Sequence, residues 1–344
     1  MTLTGSAINA GSVISDRSTI RITAVEDAVI GTANSELDAQ IVGANVTLDN
    51  ANVSGLTLNA TQGSINGTGV IVSDSFVNLD AAQNIAFGTL SAGSTFTLDV
   101  AGNIMFDAAS TTNGNLQITA GGDILVGSVN TADISTNPSG SDAIALTAGG
   151  LVRVDNAQAQ DAVTIIGGSV DAGSLTSDLT TIVVTAVADA AVGTANSALS
   201  TTIRGANVTL DNANVSGLTL DATDGSINGT GVIVSDSFAN LDATQNIAFG
   251  TLSAGSTFTL DVMGNIMFDA ASTTNGNLQI TAGGDILAGS VNTADISTNP
   301  SGNDAIALTA GGLVRVDNAQ AQDCLLYTSP SPRDLSTSRM PSSA

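Results

Sequence analysis

Few residues in this 344-residue chain can move a proton, attack a carbon or hold a metal ion. There is no His, and all seven basic residues are Arg. The one Cys, Cys324, and the one Tyr, Tyr327, sit together near the C-terminus. Glu occurs only at Glu26 and Glu36, so the acidity rests on Asp. Before Cys324 the usual general bases, activated nucleophiles and zinc, iron or haem ligands are therefore missing. What remains is carboxylate chemistry: Asp pairs flanking a glycosidic bond, or Asp oxygens around calcium.

Three sets of residues bear on that chemistry. Asp123 and Asp285, in "AGGDI", are similar to calcium-binding nonapeptide repeats, but the nine-residue period does not recur and a turn-capping role is expected. "TADISTNPSGSD" places Asp133 and Asp142 in one insertion, with fewer carboxylates than an EF-hand loop needs. Arg153 and Arg315, in "LVRVDN", read as exposed strand residues paired with Asp155 or Asp317, each pair adding under ~1 kcal/mol. "TAGGD" lacks the Lys-Ser/Thr of a phosphate loop. The expectation is no catalytic, cofactor-binding or metal-binding residue, no cofactor and no enzyme. The competing expectation is a polysaccharide-degrading enzyme, with several Asp converging within about 10 Å in one groove.

The elements that would position these side chains show in the composition. The chain is 42% hydrophobic but only 3% aromatic, with Val, Ile, Leu, Ala and Thr dominant, which suits strands. A net charge of −24 keeps such a chain soluble and repels phosphate backbones and anionic lipid, so no nucleic-acid partner and no membrane insertion are expected. No apolar run approaches the ~18 residues of a membrane span. The opening "MTLTGSAINAGSVISD" reads as no signal peptide.

From Cys324 the text changes. "CLLYTSPSPRDLSTSRMPSSA" resembles the translation of a transposase-type sequencing-library adapter, and residues 324–344 are expected to be a non-native, disordered tail. It carries two of the seven basic residues and one of the thirty-one acidic ones, so without it the charge is about −25.

The rest is repetition. Gly43 to Asp161 aligns without a gap with Gly205 to Asp323, with about seven differences, among them Asn59/Asp221, Gln62/Asp224, Ala101/Met263 and Ser141/Asn303. Residues 1–162 form a first copy and 163–323 a second, continuous with it. Within each copy an apolar residue opens a shorter phrase at Leu3, Ile22, Ile41, Leu58, Leu79, Leu98, Ile118, Leu146 and Ile165, at steps near 20 residues. The one longer step holds the "STNPSGSD" insertion. Each phrase alternates apolar and small polar residues and closes with Gly, Asn or Asp, residues that tolerate positive φ. A coil of this length cannot bury its own apolar face, whereas stacked coils share one core. The fold class expected is all-β, a parallel β-helix (solenoid) of about 20-residue coils. About sixteen of them would make a rod on the order of 75 Å. Phe76/Phe96, Phe87/Phe106, Phe238/Phe258 and Phe249/Phe268 are expected to stack on adjacent coils as a core ladder. An array of immunoglobulin-like sandwiches is the other all-β reading.

"GNLQITAGGDILVGS", "STFTLDVAGNIMFDA" and "DAIALTAGGLVRVDN" resemble the repeats of filamentous haemagglutinin-type exoproteins, the secreted adhesins of two-partner secretion systems. The resemblance covers nearly all of residues 1–323. It implies a right-handed helix, an extracellular or cell-surface location, an outer-membrane translocator as secretion partner, and attachment to a glycan or protein on a host or neighbouring cell. That family's secretion domain is not evident here. Binding specificity is expected in insertions such as Ser135 to Asp142.

Overall fold

A computed structural model describes residues 1–131, 142–293 and 304–329. The described residues form thirty-three strands in one continuous sheet, with parallel pairing throughout and no helix. The chain winds as a β-solenoid of about sixteen turns, with equivalent residues about 19 positions apart. Parallel pairing excludes the immunoglobulin-like array, whose sandwiches are antiparallel.

Each coil is built from a short and a long strand. Short strands such as Phe96–Val100 and Leu116–Ala120 bury their first, third and fifth residues, the alternation of a strand with one face on a core. In long strands such as Ile85–Ala92 the buried residues are Ile85, Phe87, Leu90 and Ala92. The inward parity switches in mid-strand, so the chain turns a corner at Gly88, the residue left out of the ladder register with Ile104–Thr111. Two halves of the long strand and one short strand give each coil three faces around a central core.

The apolar period is the stacking register. Leu3, Ile22, Ile41, Leu58, Leu79, Leu98, Ile118, Leu146 and Ile165 are successive partners in adjacent short strands. The column continues through Val184, Ile203, Leu220, Leu241, Leu260, Ile280 and Leu308 without interruption between the copies. All but Leu3 are buried, and each fully buried Leu or Ile contributes about 1.5–3 kcal/mol.

The corners are held from coil to coil. Asn45 Oδ1 accepts from the Ser64 N–H (3.0 Å), Asn84 Oδ1 from Asn103 (2.9 Å) and Asn103 Oδ1 from Asp123 (2.8 Å). The second copy repeats this through Asn207, Asn246 and Asn265. At another corner buried hydroxyls cap carbonyls, as where Thr111 Oγ1 donates to Gly114 O (2.6 Å) and Ser73 Oγ to Phe76 O (2.7 Å). Positive φ was the expected role of the turn residues. Among the described residues only Gly114 (148°) and Gly276 (153°) adopt it. The Asn and Asp residues serve the next coil through their side chains instead.

Two further expectations change. Phe87 partners Phe106, and Phe249 partners Phe268 with ring centroids 5.4 Å apart, as the ladder requires. Phe96 and Phe258, however, sit in register with Val77 and Ala239, one residue beyond Phe76 and Phe238. Phe76 and Phe238 lie outside the core, over Gly55 and Gly217, where a Cβ would meet the ring at 2.3 and 2.5 Å. The tail expected to be disordered begins with a strand, Leu325–Thr328, paired with Ile306–Ala310. An open parallel edge accepts whatever extended chain follows it, and "LLYT" has strand composition. Residues 330–344 lie outside the described residues.

Candidate functional site

The fourth residue of each short strand points outward and forms a column along one face. In the first copy the column reads Val42, Asn59, Asp80, Asp99, Thr119. In the second it reads Arg204, Asp221, Asp242, Asp261, Thr281. Partners in adjacent parallel strands are about 4.8 Å apart, so three carboxylates line up there on consecutive coils. With Thr223, Thr244 and Met263 they line an open groove. Arg204 closes one end, its Nε 3.2 Å from Asp221 Oδ2.

The electrostatics follow from the stacking. Asp242 lies between two carboxylates, and its pKa is raised by partial desolvation first, then by Asp221 and Asp261. Among the described residues no group of three His, Cys, Asp or Glu has the arrangement to hold a metal ion. A carboxyl group whose pKa is raised, with a second carboxyl group beside it, is the arrangement general acid catalysis needs, while a flat polar stripe is also what a repetitive binding face presents.

The residues singled out in the sequence lie elsewhere and serve the fold. Asp123 Oδ1 accepts from the Leu151 N–H (2.8 Å) and Asp285 Oδ1 from the Leu313 N–H (2.7 Å), so the capping they perform bridges coils 28 residues apart. Asp142 is buried at the edge of the insertion. Its carboxylate accepts from the Gly114 N–H, and its own N–H donates to Asp161 Oδ2 (2.9 Å). Asp133, Ser135, most of that insertion, and the difference Ser141/Asn303 fall outside the described residues.

Arg315 pairs with Asp317 (3.4 Å) as expected, whereas Arg153 pairs not with Asp155 but with Asp171 (3.8 Å). Asp171 is its register partner on the next coil, the first coil of the second copy. Both pairs are exposed.

No family model, curated protein or solved structure matches this chain. The fold and the carboxylate column must therefore carry the functional argument.

The column was missed because its Asp residues lie a full coil apart in the chain. It can be read from the alignment that found the core, one position to the right: Leu220-Asp221, Leu241-Asp242, Leu260-Asp261.

Proposed function

We propose that the chain is a structural and adhesive segment of a large extracellular or surface-exposed protein of the filamentous haemagglutinin type. One observation carries this reading: the parallel stack runs unbroken from the first copy into the second, through Leu146, Ile165 and Val184. Its outward columns repeat small polar residues, such as Thr57, Asn78, Thr97 and Gln117, from one coil to the next. Such a rod holds contacts at a distance and multiplies weak ones, so the partner is a glycan or protein displayed at high density on another surface. The resemblance to exported repeats adds the outer-membrane translocator.

The test is retention on glycan- and protein-coated surfaces, with the chain presented singly or densely on beads. Dense presentation is expected to raise retention by about 10²–10⁴-fold. Equal, negligible retention in both formats across neutral, anionic and protein surfaces would sink the adhesive reading.

The carboxylate column favours a second reading, hydrolysis of a polysaccharide by an Asp pair in the groove of the second copy. Stacked carboxylates one coil apart match the ~5 Å separation of a retaining pair, and Asp242 would be the acid. Release of reducing ends from neutral or anionic polysaccharide, lost in Asp242→Asn, would establish it over the adhesive reading.

A further inference from the structure

The chain holds four Asn-Gly pairs: Asn66–Gly67, Asn113–Gly114, Asn228–Gly229 and Asn275–Gly276. Such a pair can react with itself. The glycine nitrogen attacks the side-chain amide carbon of the asparagine, and no Cβ on the glycine blocks the approach. In a folded chain the reaction needs room at that nitrogen and a group to take its proton.

Two of the pairs are built to resist it. The Gly67 N–H donates to Ala86 O and the Gly229 N–H to Ala248 O, both at 2.9 Å. A backbone carbonyl accepts such a bond but does not take the proton. Gly67 is also walled in, since a Cβ there would stand 2.2 Å from Leu48 O and 2.5 Å from the Phe87 ring.

The Asn113–Gly114 pair is placed differently. Asn113 is exposed, and its side chain makes no hydrogen bond to a described residue. The Gly114 N–H donates to the carboxylate of Asp142, a residue only 1% exposed. The peptide is pinned on its other side, where Gly114 O accepts from Thr111 Oγ1 (2.6 Å), and Asn115 Oδ1 accepts from the Ala143 N–H (3.0 Å). The second copy repeats the pair with a φ of 153° at Gly276, the bond from Thr273 Oγ1 to Gly276 O (2.7 Å) and a buried Asp304.

We propose that Asn113 is a self-modification site, converted to aspartate and isoaspartate in the folded chain with Asp142 as general base. The Gly114 nitrogen bonds to Asn113 Cγ while its proton passes to the Asp142 carboxylate. The N–H lies in the peptide plane and the attack runs perpendicular to it, so the hydrogen bond and the attack do not compete. The bond from Cγ to Nδ2 then breaks, Asp142 returns the proton, and ammonia leaves. Water opens the remaining five-membered imide at either carbonyl. Attack at Cγ gives aspartate, and attack at the backbone carbonyl gives isoaspartate, whose main chain runs through Cβ and Cγ. Asparagine and water become aspartate or isoaspartate and ammonia, with no cofactor and no second enzyme. Each event adds a negative charge beside Asp142, and isoaspartate lengthens this corner of the coil by one carbon. The inference rests on the fold and is independent of the adhesive reading.

The test is mass spectrometry of fragments from the full chain after storage near neutral pH, folded or in denaturant. Fragments that retain Gln62 or Asp224, and Val126 or Ala288, tell the two copies apart. In the folded chain Asn113 should convert about tenfold or more faster than Asn66, whereas in denaturant the two should react alike. Asp142→Asn keeps an oxygen that accepts from the Gly114 N–H but cannot take its proton. It should slow Asn113 by about 10²-fold in the folded chain and leave Asn66 unchanged. An Asp142→Asn chain that keeps its β-sheet circular dichroism and converts Asn113 at the parent rate overturns the proposal. Conversion of Asn113 in the unsubstituted chain that is slower folded than in denaturant overturns it without any variant.

Discussion

The two copies differ more on their surface than in their core, and the kind of difference at each place is instructive. From Gly43 and Gly205 onward seven positions change, one of which, Ser141/Asn303, lies outside the described residues. Four face outward: Asn59/Asp221, Gln62/Asp224, Ala82/Thr244 and Ala101/Met263. Two are buried, and both exchange Val for Ala: Val77/Ala239 and Val126/Ala288. The outward changes, with Val42/Arg204 just upstream, turn a mixed column into an Arg-capped run of three carboxylates. The inward changes only remove methyl groups. A stacked coil tolerates new chemistry where its strands face water and permits only small volume changes where each side chain is clasped from above and below.

That contrast can be broken first in the core. Phe96→Ala and Phe258→Ala each remove a fully buried ring and should each cost about 3–5 kcal/mol, read as lost native-state hydrogen-exchange protection in the affected copy. Their neighbours on the coils above and below match except at Val77/Ala239. Losses differing by much more than that one residue explains would show that the cores are not equivalent.

The buried exchanges sharpen the comparison. Ala239→Val restores the side chain that the first copy holds at the same place between Leu and Phe partners. It should stabilise the second copy by about 1.5 kcal/mol, and Val77→Ala should destabilise the first by at least as much, in denaturant titrations followed by exchange. A destabilising Ala239→Val would mean that the second copy has closed around the smaller residue.

The surface column should yield less. Asn59→Asp adds a third carboxylate to the first copy where Val42 stands in place of Arg204, and it should cost under about 1 kcal/mol. Val42→Arg in the same chain should recover most of that, and a recovery that fails would show that Arg204 is not what balances the second copy's stripe.

The smallest effect is in the pH dependence. Asp242 titrates above its ordinary value, so the folded state holds its proton more tightly than the unfolded chain. Stability from this group is therefore greatest in acid and falls as pH rises from 3.8 through the raised folded value. Asp242→Asn should flatten that part of the stability profile and leave a slightly more stable second copy at neutral pH. An unchanged acid slope would contradict the stacking of charges.

Much of the fold was legible because a solenoid repeats one constraint. Every apolar residue that opened a phrase, from Leu3 to Ile165, became the next one's register partner, since a buried column admits only apolar residues at a fixed spacing. What failed to show depends on corners. Phe76 looked equivalent to Phe96 by spacing alone, but coil lengths vary by a residue or two at the turns, and that slip moves a ring from the core to a perch above Gly55. Arg153 was matched to a neighbour along its own strand, whereas in a stack the neighbour on the next coil, Asp171, is just as near. The carboxylate stripe was hidden for the same reason: Asp221, Asp242 and Asp261 are separated in the chain by a full coil each and meet only when the coils are laid on one another.

Both copies belong to one stacked spine. Small-angle X-ray scattering from the monomeric chain tests it most directly. About sixteen coils at 4.8 Å predict a rod with a narrow constant cross-section and a long axis on the order of 75–80 Å. A pair-distance distribution with two compact maxima, one for each copy, would contradict it.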